Sequence, residues 1–314
     1  MLLQVPVPMY AGYPASAIPY TNAGSVQNKG FELGIEYSGK SGGFSYNLAA
    51  NGAMFKNKVT SLGQGNKPII STGYGVSRTE VGSSIGRFYG WVTDGIFQTE
   101  EEVLNYKGPG GIILQKDAHA GDFRFKNLNN DDAINEKDET WIGNPWPDLT
   151  YGLNINLAYK GFDLSLFFQG SSGNDICRSG LARKFSFPGS QNEYAYIYRN
   201  AWRGVGTSDT QPLLSTVEKN LNYRASDYFI ENGSYMRLKY LQFGYNLPKQ
   251  INDQVKIANC RIWIGCENLL TVTKYRGIDP ETGATSTPSI DAGHDSDNYF
   301  PKSREISLGA TVSF

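Results

Sequence analysis

Residues Leu149–Gly170 read LTYGLNINLAYKGFDLSLFFQG. From Leu149 to Tyr159 every second residue is apolar or aromatic: Leu149, Tyr151, Leu153, Ile155, Leu157 and Tyr159. Thr150, Gly152, Asn154, Asn156 and Ala158 lie between them. A period of two places these sets on opposite faces of a strand. After a short turn at Lys160–Gly161, Phe162, Leu164, Leu166 and Phe168 continue one face. Asp163, Ser165 and Gln169 occupy the other, and Phe167 breaks the alternation. Two such runs joined by two turn residues read as an antiparallel hairpin.

The same pattern recurs outward from this hairpin. Phe31, Leu33, Ile35 and Tyr37 alternate with Glu32, Gly34 and Glu36, and Phe44, Tyr46, Leu48 and Ala50 with Ser45, Asn47 and Ala49. In the last strand, Arg304–Phe314, Ile306, Leu308, Ala310, Val312 and Phe314 make one face wholly apolar. Two further strands are expected near Ser234–Leu247 and Asn259–Thr271, with less regular alternation. Short connections (Ser38–Gly43, Lys160–Gly161, Pro248–Lys256) alternate with long ones (Asn57–Asp148, Ser171–Gly233, Lys274–Ser303). That rhythm is the habit of transmembrane barrels, with short periplasmic turns and long outer loops. With the last strand running inward, all three long connections fall outside, and about seven strands belong to the wall. Arg87–Gln98 (RFYGWVTDGIFQ) is strand-like, but counting it would break parity, so it is assigned to a structured outer loop. Glu193–Arg203 is expected to form a short helix in the second long loop. Tyr37, Phe44, Tyr46, Tyr159, Phe162, Tyr245 and Phe314 flank the short turns or the terminus and are expected to form an aromatic girdle.

Composition agrees. The 314 residues carry 19% charged side chains and a net charge of −1, which argues against a nucleic-acid partner. Mean hydropathy is −0.40 and no stretch suits a transmembrane helix. In a membrane barrel only alternate residues face lipid, so negative hydropathy is no obstacle. Met1–Tyr10 has no basic start and is interrupted by Pro6 and Pro8, so it is not a signal peptide, and the chain is expected to be a truncated piece of an exported protein. Cys177, Cys260 and Cys266 have no metal-ligand spacing and read as unpaired.

Segments spread over the whole chain resemble the SusC/RagA family of TonB-linked outer-membrane importers. They are Asn28–Tyr37 (NKGFELGIEY), Phe88–Gln98, Gly121–Asp138 (GDFRFKNLNNDDAINEKD), Ile142–Tyr151 (IGNPWPDLTY) and Tyr159–Gly170. Tyr235–Pro248 (YMRLKYLQFGYNLP), Glu267–Pro280 (ENLLTVTKYRGIDP) and Tyr299–Phe314 complete the set. The resemblance implies an all-β fold, in which residues 1–314 are the C-terminal part, about seven strands, of a 22-stranded antiparallel transmembrane β-barrel with long extracellular loops. The plug domain and N-terminal barrel strands would then be absent, and the chain alone incomplete, since barrel diameter scales with strand number. The resemblance further implies the cell outer membrane, with its lipid around the barrel, and a SusD-like surface lipoprotein as partner. It implies contact with TonB through the missing N-terminal part, and import of oligosaccharides or peptides.

One local motif points to a ligand. Asn127–Asp138 (NLNNDDAINEKD) is close to a calcium loop, with Asn127, Asn129, Asp131, Ala133 (through its carbonyl), Asn135 and Asp138 at ligand positions. It departs in having Asp132 where Gly allows the sharp turn, and Asp rather than Glu at the end. The plainer reading is an Asn/Asp-rich turn held by side-chain-to-backbone bonds. Calcium is the sole cofactor the sequence raises. No nucleophile elbow, phosphate loop or HExxH occurs, and His119 and His294 lie in polar loops, so no enzyme is expected. Glu100–Glu102 reads as a helix start or a solvated run. Trp91, Trp141, Trp146, Tyr194, Tyr196 and Trp202 fall in outer loops, where they are expected to pack the loops together, and otherwise to stack on sugar rings or contact the lipoprotein lid. The competing readings are a secreted all-β carbohydrate-binding or adhesive module and, further off, a glycoside hydrolase, which would need a carboxylate pair that the sequence does not display.

Overall fold

Seven strands form one antiparallel meander in which each is hydrogen-bonded to the next in chain order. They are β1 (Gly24–Ser41), β2 (Phe44–Leu62), β3 (Leu149–Tyr159), β4 (Phe162–Ser172), β5 (Tyr235–Asn246), β6 (Asn259–Thr273) and β7 (Glu305–Ser313). The computed structural model describes residues 2–4, 20–22, 24–71, 74–186, 192–215, 220–281, 289–296 and 300–314. Of Met1–Tyr10, residues 1 and 5–10 lie outside these, as does Tyr299. Among the described residues no helix is long and apolar enough to cross a membrane, which says nothing of strands.

Backbone chemistry sets the two tightest turns. Gly42 and Gly43 have φ of 56° and 82°, and Lys160 and Gly161 of 47° and 90°. Two successive left-handed residues match the right-handed twist of the flanking strands, as two-residue hairpin loops require. The third short connection is wider than a turn, because Lys249–Gln254 winds into a helix. Buried Asn252 holds it there by donating from Nδ2 to the Leu247 carbonyl at 3.1 Å.

The register aligns the apolar sets across all seven strands. Leu48 stands opposite Tyr37 and Ile155, Leu164 opposite Leu157 and Phe243, and Ile264 opposite Phe243 and Leu308. This outer face is bare: Phe31 is 64% exposed, Ile35 60%, Leu308 80% and Phe314 96%. The aromatic residues near the short turns touch in a row, Tyr37–Tyr46–Phe44–Tyr159, at centroid distances of 5.5, 6.1 and 6.5 Å. Phe162 and Tyr245 follow at 4.4 Å. So large an exposed apolar surface marks contact with a partner or with lipid.

Burial is concentrated in the long connections instead. Arg87–Gly90 pairs with Thr140–Gly143 and Ser77–Thr79, and Thr93–Ile96 with Phe123–Phe125. The Arg87–Gln98 stretch is therefore strand, but outside the meander. Phe88, Val76 and Cys177 form one core there, Ile96, Phe123 and Phe125 a second, and Leu181, Phe185, Ile197 and Phe229 a third. The helix expected in Glu193–Arg203 spans Ala195–Asn200, and the acidic run opens a helix over Glu100–Asn105, where Thr99 Oγ1 accepts the Glu102 N–H at 3.2 Å. All three cysteines are free.

Candidate functional site

The inner face carries the other half of each alternation, and the long loops fold over it. Between sheet and loops lies a recess of about 1070 Å³. The sheet contributes Glu32 from β1, Asn51 from β2, Phe167 and Gln169 from β4, and Tyr235 from β5. The loops contribute Trp146, Asn174, Asp175 and Glu281. Phe167, the residue that breaks the alternation of its strand, is thus a wall residue of the recess. A cavity of this size with a few placed polar groups among aromatic walls can hold a solute.

Irregular alternation in β5 has a cause too. Phe167 and Phe168, adjacent on β4, pair with Tyr240 and Leu238, so Lys239 is an extra residue. On β6 the same point is answered by Asn268 and Leu269, with Asn268 left-handed at φ 51°. Such a bulge bends the strand and re-aims side chains. Here it lets Arg237 and Lys239 reach one loop. Arg237 Nη2 donates to Asp279 Oδ1 at 2.7 Å and Nε to Thr271 Oγ1 at 2.9 Å. Arg237 Nη1 lies 3.3 Å from Glu281, and Lys239 Nζ 2.8 Å from its other oxygen. Asp279 also accepts the N–H groups of Glu281 and Lys302 at 3.0 and 3.1 Å. Burial would raise the Asp279 pKa, but the Arg237 hydrogen bond and these N–H donors outweigh it and hold it below the usual carboxylate range. A second ionic knot binds the loops to each other: Glu231 takes Arg276 at 2.9 Å and Arg178 at 3.2 Å, and Tyr275 bonds to Asp295. The sequence reading missed these clamps. The pairs of charges two residues apart, Arg237 with Lys239 and Asp279 with Glu281, were the available signal.

The calcium-type loop is brought together as one turn. Asp138, fully buried, accepts N–H groups from Leu128 and Asn135, each at 2.8 Å, and from Asn129 at 3.4 Å. Asn127 and Asn129 accept the Asp131 N–H at 3.2 and 2.9 Å, Asp131 accepts that of Ala133 at 2.9 Å, and Asn135 that of Lys137 at 2.9 Å. The Ala133 carbonyl accepts from Asn135 Nδ2 at 3.3 Å. The left-handed residue is Asn130, not Asp132 at the usual glycine position. Each of the six oxygen donors already meets a hydrogen-bond donor of the turn itself. Among the described residues no group of three or more His, Cys, Asp or Glu side chains is placed to hold a metal.

The loop aromatics pack the loops. Trp91 Nε1 donates to the Asn135 carbonyl at 3.0 Å, Trp146 to Ile85 at 2.7 Å and Trp202 to Gln98 Oε1 at 3.1 Å. Trp141 lies against Tyr89 and under the Arg87 guanidinium, and Tyr194 stacks on Tyr196. His119 is exposed, 3.5 Å from Glu100. His294 is half-buried against Phe88, with its Nε2 2.8 Å from Ser77 Oγ. Burial lowers its pKa.

No family model matches the chain. It is 32% identical over 325 residues to TonB-dependent receptor P3 of Formosa agariphila, matched along 100% of this chain and 31% of that receptor. TonB-dependent receptor P26 of the same organism is 26% identical, again along 100% of this chain and 31% of the relative. TonB-dependent receptor SusC of Bacteroides thetaiotaomicron is 23% identical over 100% of this chain and 29% of its own length. Among solved structures, that of the RagAB peptide transporter superposes with a TM-score of 0.77 at 23% identity, covering 100% of this chain and 32% of that one. The chain thus spans about a third of the length of the relatives it matches.

Proposed function

From a chain homologous along its whole length to SusC-like TonB-dependent receptors, its seven strands the C-terminal part of their antiparallel barrel, we infer a segment of the wall of an outer-membrane nutrient importer. Residues 1–314 then join a plug domain and earlier barrel strands in the whole receptor, since the open edges of β1 and β7 are not tolerated in lipid. A SusD-like surface lipoprotein covers the loops, TonB drives transport, and the cargo is an oligosaccharide or a peptide. The structural neighbour named above is a peptide transporter, which favours the second cargo. Calcium on the Asn127–Asp138 turn is a separate proposal, resting on the convergence of those six residues.

The observation that carries this reading is the bare apolar face repeated in register over every strand. Leu308 points out from β7 and Ser307 points in. Leu308→Arg in the whole receptor is expected to cost about 2–4 kcal/mol near the bilayer midplane and to deplete the protein from the outer-membrane fraction. Ser307→Arg is expected to assemble normally. Equal behaviour of the two variants, or a receptor found soluble in the periplasm, would sink the reading.

A further inference from the structure

The recess has a one-sided charge. Three ionisable carboxylates line it, Glu32, Asp175 and Glu281, and no Lys or Arg does so among the described residues. Glu281 is already met by Lys239 and Arg237. Glu32, exposed on the inner face, and Asp175 have no ion pair among the described residues. Among the described residues the Asp175 carboxylate accepts the Asn144 N–H, at 2.9 Å, and no other hydrogen bond. Burial first, and the nearby Asp148 carboxylate as well, push the Asp175 pKa up, as expected where a carboxylate lacks a counter-ion. Asn174, nine-tenths buried in the same wall, accepts from Ser171 Oγ at 3.0 Å and leaves its amide N–H groups without a partner among the described residues. Trp146, Phe167 and Tyr235 supply ring faces beside these groups.

We propose that this recess is a subsite for a cationic group, an ammonium or guanidinium carried on the imported solute, with Glu32 and Asp175 setting the charge preference. It rests on the import reading above. The carboxylates attract the charge, and the rings pack its methylene stem or face the cation directly. The Asn174 amide donates to a carbonyl or hydroxyl of the same solute. Anionic solutes meet uncompensated negative charge and are disfavoured.

The test uses the whole receptor in detergent and two sets of fluorescent probes. One is a pentapeptide bearing two lysines, with its acetyl-lysine and glutamate twins; the other is a glucosamine tetramer with its N-acetylated twin. The cationic member of at least one set is expected to bind about tenfold more tightly than its neutral twin, with the glutamate peptide weakest. Glu32→Gln with Asp175→Asn should bring the twins within about twofold, while the barrel keeps its heat-modifiable mobility. Which set shows the preference identifies the carrier of the cation. Twins that bind alike, a preference that survives the double substitution, or no binding of any probe overturns the proposal. Uptake by cells is scored separately: binding without uptake overturns the import reading and leaves the subsite standing.

Discussion

Removing Arg237 should release the third long loop from the wall. The Arg237 side chain is 4% exposed and Asp279 3%, so Arg237→Met leaves a carboxylate buried beside an apolar chain. Breaking one partner of such a pair costs about 3–5 kcal/mol. Asp279 keeps two backbone N–H donors, from Glu281 and Lys302, which places the expected loss near the lower end, about 3 kcal/mol. Those same two amides report it. Their hydrogen exchange requires the loop to open, so a loss of about 3 kcal/mol should speed it roughly a hundredfold or more. Mass spectrometry of peptides containing Glu281 and Lys302 measures this in the intact receptor, with peptides from β3 as the unchanged control. Asp279→Leu added to Arg237→Met should restore much of the protection, because no buried charge is then left unpaired. Acid should mimic the single variant. The Asp279 pKa is depressed in the folded state, so its contribution is complete above its ordinary value of 3.8 and is lost as pH falls through the lower folded value. Unchanged exchange in Arg237→Met, or a double variant no better protected than the single, would refute this account of the clamp.

Other outcomes follow from single sites. A Cβ at Gly309 would collide with Cζ2 of the Trp263 ring on the neighbouring strand, so Gly309→Val should displace the indole, shift its fluorescence and cost about 1–3 kcal/mol in urea titrations of the folded barrel. His294 has a folded pKa below its ordinary 6.5, so docking of its segment is complete above that value and weakens as pH falls from there toward the folded pKa. Exchange at residues 292–296 should rise in that window, and His294→Asn should flatten the response. Asp138→Ala strips three N–H groups of their buried acceptor and should loosen the Asn127–Asp138 turn by about 2–4 kcal/mol, read as protease cutting there. If calcium sits on this turn as proposed, a chelator should lower its protease resistance in the wild-type receptor; unchanged resistance would mean that the turn is held by its own hydrogen bonds alone.

What the sequence by itself determined was the wall. Alternation with period two names both faces of β1, β2, β3 and β7 residue by residue, because neighbours on a strand point to opposite sides. The Lys160–Gly161 turn is legible because a two-residue hairpin loop needs left-handed residues. The aromatic row and the assignment of Arg87–Gln98 to a loop follow from the same parity. Tertiary structure decided what crosses that order. The bulge at Lys239 depends on three neighbouring strands at once, so it shows in the sequence only as blurred alternation around Phe167 and in β5. The clamp joins Arg237 to Asp279, 42 residues apart, and nothing local indicates which loop carboxylate reaches which wall cation. Pairings across the chain are set by where the loops fold, and periodicity carries no information about that.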